Sequence, residues 1–377
     1  MVRRAGKIVL QILSSYALGI ATLFLLLVLT YLGTLEQIEH GLFATQQKYF
    51  NSLYVIHEIN GIPLLPLPGV YTLLFVLGIN MLLGAITRFR WGMRHAGVFV
   101  VHTGILIMLL GGFVTYHYSV DGHLTLYEGE TSDEFLSYYD WEITIAEDGV
   151  ADENDALVIP GDAFRDLTGD NTRSFSSAKL PFTMTLSGFM PNAVLMGGTN
   201  TVTPIPRDAK NERNVAGITA QLAALDGSTK DIANLWGMSS GPYRFQLSDK
   251  SWNIALQRRR WKLPFAVGLD KFTRVLHPGT AMPSAFSSDV TVVEPVGTQK
   301  VHISMNRPLR YKGYTLFQAS WGPTNAGPQD KLFSTLAVVR NPADQFPLYG
   351  FVVITLGLLF HFTHKLFLYL RSEAVRQ

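Results

Sequence analysis

The chain has 377 residues, of which 47% are apolar and only 16% charged, and its net charge is +2; soluble domains carry roughly 25% charged residues. A charge balance so near neutral leaves no footprint for nucleic acid, and the scarcity of charge places the chain with membrane proteins. With no cysteine, disulfides, thiolate metal sites and a C-x-x-C-H haem-attachment motif of its own are excluded.

The apolar residues come in blocks. A bilayer core about 30 Å thick takes roughly 20 apolar residues of helix to cross, and residues 8–32, 69–87, 96–116 and 346–366 qualify. The first block follows Arg3, Arg4 and Lys7, yet it is longer than a signal core and no small-x-small pattern follows it, so a retained helix is expected. Basic residues mark the cytoplasmic side: those three, then Arg88, Arg90 and Arg94 in the turn between the second and third blocks, then Lys365 and Arg371 after the fourth. Both termini are then expected inside, with residues 33–68 and 117–345 outside.

After the first block, Ile38, Leu42, Phe43, Phe50 and Leu53 recur near helical spacing among Glu39, Gln46, Gln47 and Lys48. An amphipathic helix over residues 36–53, lying on membrane lipid, is expected. His40 and His57 flank it as ordinary interfacial hydrogen-bonding residues. Asn80, midway along the second block, reads as a polar residue that joins helices.

An ionisable side chain inside an apolar span is a functional-site hypothesis by default, and two histidines qualify. His102 lies in the third block, eight residues beyond Arg94, or roughly 10 Å deep at 1.5 Å per residue. His361 lies at similar depth in the fourth, four residues before Lys365. Matching depth invites a group held by both. Helical facing opposes that: Gly97, Gly104 and Gly111 form a stripe on the third block, and His102 lies about 150° around from it at 100° per residue. In the fourth block Gly350, Gly357, His361 and His364 share one face. If the glycine stripes pack together, His361 looks into the contact and His102 away from it.

Between the third and fourth blocks, short alternating runs at residues 123–127, 141–145, 182–186, 265–272, 290–293, 314–319 and 336–339 predict strands. Turn residues separate them, without helical patterns, so a β-rich domain built as a sandwich or barrel is expected. Residues 147–155 and 166–173 read as polar loops, and Arg258, Arg259 and Arg260 as a solvated strand end. His117 and His123 follow the third block as interfacial residues. No hydrolase elbow, zincin, phosphate-loop or dinucleotide motif is present.

Several short signatures then line up: Gly33-Thr34-Leu35, Gln46, Lys48-Tyr49-Phe50 and Ser52, the histidine of the third block, and Pro278-Gly279-Thr280 with Pro283, Phe286 and Ser288. The longest is Asn306-Arg307-Pro308-Leu309-Arg310-Tyr311-Lys312-Gly313-Tyr314-Thr315-Leu316-Phe317-Gln318-Ala319-Ser320-Trp321. It resembles the N-x-P-L-x-Y-x-G-Y-x-F-Y-Q-S-S-Y stretch of the ResB family, with Leu316-Phe317 for Phe-Tyr and Ala319 for the first Ser. Asn341-Pro342, Leu348, Gly350 and Gly357 continue the likeness, while residues 149–240 carry no recognised motif.

The resemblance implies an integral membrane protein of the bacterial cytoplasmic membrane: four transmembrane helices, with a large β-rich extracytoplasmic domain inserted between helices 3 and 4. Its divisions are residues 1–32, 33–68, 69–116, 117–345 and 346–377. The family implies a subunit of the system II (Ccs) cytochrome c biogenesis machinery, which moves haem b outward and attaches it to apocytochromes c. Such subunits act with a multi-span partner of the CcsA/ResC type bearing a W-W-D segment. The six tryptophans here are scattered, so this chain is expected to be a non-catalytic subunit of the holocytochrome c synthase. In the family the histidine of the third span helps hold a haem in the membrane, which maps onto His102; His361 is the second-rank ligand. Arg88, Arg90 and Arg94 are candidates for pairing with haem carboxylates. A different class of function, a haem-free scaffold that stabilises a membrane partner and recruits exported proteins, stands beside this reading.

Overall fold

The computed structural model describes residues 2–59, 62–63, 66–88, 92–149, 156–196, 201–280, 283–323 and 330–376. They divide into two units, Met1–Ser119 with Asn341–Gln377, and Val120–Arg340.

The first unit contains helices α1 (Val2–Leu13), α2 (Tyr16–Thr45), α3 (Val70–Arg88), α4 (Met93–Tyr118) and α5 (Phe346–Arg376). Four segments, Tyr16–Phe50, Val70–Thr87, His95–Tyr118 and Phe346–Val375, are long and apolar enough to cross a membrane. Their outward faces carry side chains such as Ile20, Leu27, Ile86, Phe351 and Phe362, all more than 60% exposed. Each would forgo about 1.5–3 kcal/mol of burial in water, so these faces call for an apolar surrounding.

Two expectations are corrected here. The first apolar block is not one helix. Ser15 is extended (φ −75°, ψ 143°) and its hydroxyl caps α2 by accepting from the Leu18 amide at 3.1 Å. The side-chain amide of Asn80 on α3 donates to the carbonyls of Leu13 (2.6 Å) and Ser15 (3.0 Å) at the break. Asn80 does join helices, by satisfying the backbone of an interrupted one. Nor do residues 36–53 form a separate surface helix. Residues 36–40 continue α2, Gly41 breaks it at a left-handed φ of 76°, and a wide turn at Gln46–Phe50 follows. This segment folds back on α2 because Gly33 leaves room: a Cβ there would lie 3.3 Å from Phe50 Cε2 and 3.5 Å from Thr45 Cγ2.

The contact between α4 and α5 follows the glycine stripes. A Cβ on Gly97 would sit 2.7 Å from His361 Cβ, one on Gly104 2.6 Å from Ile354 Cγ1, and one on Gly111 2.6 Å from Phe346 Cβ. From the other side, a Cβ on Gly357 would sit 2.8 Å from the Val101 amide nitrogen. Backbones approach this closely only where both helices present small residues.

The second unit is antiparallel throughout. Its large sheet runs, in spatial order, Gly297–Ser304, Pro283–Glu294, Lys250–Leu276, Thr131–Glu147, Val120–Tyr127, Phe333–Arg340, Tyr314–Gly322 and Leu309–Tyr311, with Tyr243–Leu247 and Leu157–Pro160 paired to the two long strands. A smaller sheet runs Lys230–Trp236, Gly217–Ala224, Phe182–Met190 and Thr172–Phe175. The expected sandwich occurs at one end of the long strands, while at the other end the large sheet stays open, its outermost strands Gly297–Ser304 and Leu309–Tyr311 unpaired to each other. Ile143, Ile145, Phe245, Ile254 and Leu256 of the large sheet pack on Phe182, Leu186, Ile218 and Leu222 of the small one as a sandwich. Leu124, Phe135, Phe265, Val290, Ile303, Leu316 and Val338 form a second core within the large sheet alone, which curls over itself.

All seven predicted runs fall inside strands, but the strands between residues 193 and 247 were not anticipated. Gly217–Ala224 is the instructive case. Its Gly and Ala residues have weak strand preference, and burial against the large sheet decides their conformation. Residues 150–155 of the first predicted loop lie outside the described residues. In the second, Thr172 and Arg173 belong to a strand, where the Arg173 guanidinium pairs with Asp166 at 2.8 Å.

Gly104→Leu is expected to destabilise the detergent-solubilised chain by about 2 kcal/mol, read as a lowered midpoint of thermal unfolding. Gly112→Leu on the same helix, where a Cβ meets nothing within 4 Å, should leave the midpoint nearly unchanged.

Candidate functional site

His102 is exposed on α4, on the side turned away from the glycine seam, beside the exposed Val98 and Phe99. Its Nδ1 lies 2.8 Å from the Val98 carbonyl one turn earlier. A carbonyl only accepts, so Nδ1 carries the proton and Nε2 keeps its lone pair. A backbone carbonyl fixing the tautomer from one ring nitrogen, with the other free to coordinate, is the usual preparation of a metal-ligating histidine.

His361 is in a different setting. It is half-buried on α5, with its Cα and Cβ against Gly97. The two histidines therefore face in different directions, as the stripe geometry implies. Of the three arginines, Arg90 lies outside the described residues. Arg88 ends α3 and Arg94 falls in the first turn of α4, so the helices place those two positions near the same end of the unit as residues 97–102. His117, at the far end of α4, pairs with the Tyr71 hydroxyl at 3.1 Å and packs on Phe113 at 4.5 Å, the ordinary role expected of it.

A polar cluster that the sequence did not reveal gathers at the fold-back of α2. Glu36 accepts from Lys48 Nζ (2.5 Å) and the Tyr49 hydroxyl (2.6 Å). Because Tyr49 spends its one proton on Glu36, the 2.5 Å contact with His57 Nδ1 requires that nitrogen to donate. Tyr49 is fully buried and His40 lies 3.8 Å from the same carboxylate. The signal available beforehand was Lys48-Tyr49 in the family resemblance; Glu36, twelve positions earlier, is identifiable only once the chain turns back.

In the β-rich unit, Arg260 is exposed, and the solvated reading of the arginine cluster is corrected for Arg258. Arg258 stacks on Trp141 at 4.0 Å and donates to the carbonyls of Tyr138 (2.7 Å), Asn214 (2.8 Å) and Glu212 (3.1 Å). Burial lowers its pKa to about 10, still well above neutrality. It ties the strand Lys250–Leu276 to two neighbouring segments. Close by, His123 packs on Tyr138 at 5.2 Å, and its buried Nδ1 has no hydrogen-bond partner among the described residues.

The long motif turns out to be structural. Lys312 and Gly313 both have positive φ (45° and 80°) and close a two-residue hairpin between Tyr311 and Tyr314. Leu309 and Leu316 enter the second core. Gln318 joins a buried knot in which Ser288 Oγ donates to Gln318 Oε1 at 2.6 Å and Gln318 Nε2 donates to Ser334 Oγ at 2.9 Å. Trp321 stacks on Phe272 at 5.9 Å, under the Arg274 guanidinium at 5.0 Å. Among the described residues no group of three His, Cys, Asp or Glu side chains could hold a metal ion.

Burial, and then the Arg258 charge, push the His123 pKa below its usual value. The unfolded chain takes up this proton near pH 6.5, before the folded chain does, so stability falls as pH drops from about 6.5. Asp121 works the other way: desolvation and Asp140 hold its pKa up, adding stability only in the carboxylate range. Between pH 7.5 and 5.5 the melting temperature of the chain should drop, and His123→Phe should lessen that drop; an unchanged pH dependence would refute the assignment.

Residues 245–330 match the ResB-like family. Among curated proteins the chain is similar to protein NrfI of Wolinella succinogenes, with 25% identity over 294 residues, 77% of this chain but only 29% of NrfI. The matched segment includes the hairpin, Ser288 and Gln318 of the knot, and the Arg274–Trp321 stack described above. On these grounds residues 245–330 are similar to the ResB-like family.

Proposed function

We propose that this chain is a membrane-spanning, haem-handling subunit of a cytochrome c biogenesis complex of the system II type. In this reading α2 to α5 cross the bacterial cytoplasmic membrane, the termini and the Arg88–Arg94 turn are cytoplasmic, and the β-rich unit lies outside, where it receives apocytochrome c. The observation that carries the proposal is the state of His102: Nδ1 bound to the Val98 carbonyl, Nε2 open, on an apolar helix face that the described residues leave exposed.

These features fit haem b. An imidazole with a free Nε2 is a haem axial ligand, and exposed Val98 and Phe99 suit the porphyrin face. His361 is packed into the seam, so a further residue holding the haem with His102 would come from a helix of the multi-span W-W-D partner. Bound haem supplies the iron porphyrin that is carried outward and attached; this chain positions it. Arg88, Arg90 and Arg94, on the cytoplasmic side of His102, pair with the haem carboxylates, since guanidinium and carboxylate geometries match.

The test is to purify the chain with its W-W-D partner and record the pyridine haemochrome and visible spectra. His102→Gly should lose most of the membrane haem or change its ligation, and added imidazole should restore the spectrum. Haem content and ligation unchanged by the substitution would sink the proposal. His361→Ala is expected to lower the yield of assembled complex while leaving haem per complex nearly constant; the reverse pattern would make His361 a ligand.

A further inference from the structure

α1 is the one helix of the first unit that none of the preceding assignments explains. Between Lys7 and the break at Ser14–Ser15 its apolar run, residues 8–13, rises only about 9 Å, too short to cross a bilayer core of about 30 Å. Arg4, Lys7 and Gln11 fall within an arc of roughly 60° at 100° per residue, while Ile8, Val9, Leu10, Ile12 and Leu13 occupy the rest of the circumference. The apolar side is not covered by the described residues: Ile8, Val9 and Ile12 are each more than half exposed.

The polar side is equally unmatched. The first acidic residue of the sequence is Glu36, and among the described residues Arg4 and Lys7 make no ion pair. Two unpaired cations beside an uncovered apolar face, on a helix joined directly to the apolar α2, fit one surface: a bilayer with anionic headgroups. The junction suits a change of direction. The extended Ser15 interrupts the helix, and Asn80 donates to the Leu13 carbonyl that the interruption leaves free and to the Ser15 carbonyl, which also accepts from the Gly19 amide at 3.3 Å.

We infer that α1 is a lipid-binding helix lying in the plane of the cytoplasmic membrane surface, its apolar face among the acyl chains and Arg4 and Lys7 on anionic phospholipid headgroups. This rests on α2 being a membrane span. Electrostatic attraction at such a surface amounts to roughly fivefold in partitioning per basic residue, so the anchor is sensitive to lipid composition.

The absence of cysteine makes single-cysteine variants of the full chain directly usable. Spin labels at Lys7, Ile8, Gln11 and Ile12 would be compared after reconstitution into phosphatidylcholine vesicles, with and without phosphatidylglycerol. The expected result is alternation: labels at Ile8 and Ile12 shallow in lipid and reached by oxygen, labels at Lys7 and Gln11 reached by a water-soluble nickel chelate. Phosphatidylglycerol should strengthen the alternation, and the double variant Arg4→Gln, Lys7→Gln should abolish that lipid dependence. Depth increasing steadily from residue 7 to residue 12 would overturn the proposal in favour of a continuing span, and uniform access to the nickel chelate would overturn it in favour of a helix in water. Alternation insensitive to phosphatidylglycerol would overturn the headgroup assignment. A label at Leu27 on α2 reports separately on the span itself, because only failure of the spanning reading would expose it to the chelate.

Discussion

The helical unit depends on the glycine seam between α4 and α5. Five glycines, three on one helix and two on the other, let the backbones approach until a single added Cβ would overlap its neighbour. In an apolar medium no hydrophobic force drives two helices together, so close packing and polar contacts must do so. The seam supplies the packing, and the pairing of Asn341 Nδ2 with Thr115 Oγ1 at 3.0 Å adds a polar contact near its end. The same seam brings together the points where the chain leaves α4 and returns to α5. The inserted β-rich unit is compatible with this, since its own first and last strands are neighbours, with Val120 opposite Arg340.

The seam also separates the two histidines of α4 and α5. His361 shares its face with the glycines and is drawn into the contact, whereas His102 is left looking outward. An outward imidazole on an apolar helix face would be costly in lipid if nothing met it. Its hydrogen bond to Val98 removes part of that cost and leaves one nitrogen with an open lone pair. The proposed ligand thus has one ring nitrogen held by its own helix and the other turned outward.

Elsewhere, polar residues do structural work. Asn80 holds the carbonyls of a broken helix, Glu36 gathers Lys48, Tyr49 and His57 at a fold-back, and Arg258 braces two segments through three carbonyls. The resemblance motif belongs to this group too. Its residues make a tight hairpin, a core edge and a buried hydroxyl and amide knot, each of which tolerates few alternatives because an unpaired buried polar group is costly. A motif can therefore carry a family resemblance through its folding requirements alone.

What the sequence determined by itself was local: the apolar blocks that became α3, α4 and α5, the alternation that became seven strands, and the glycine spacing that foretold the seam. Hydropathy and periodicity report the environment of one element at a time, and these elements have strong signals. Only the tertiary structure decided where the first block breaks, because that depends on Asn80 from another helix. It likewise decided the turning back of residues 42–50 onto Glu36, the strand character of the alanine-rich segment 217–224, and the burial of Arg258 on Trp141. In each case the deciding partner lies far away in sequence, and hydrogen-bond satisfaction or packing across that distance outweighs local preference.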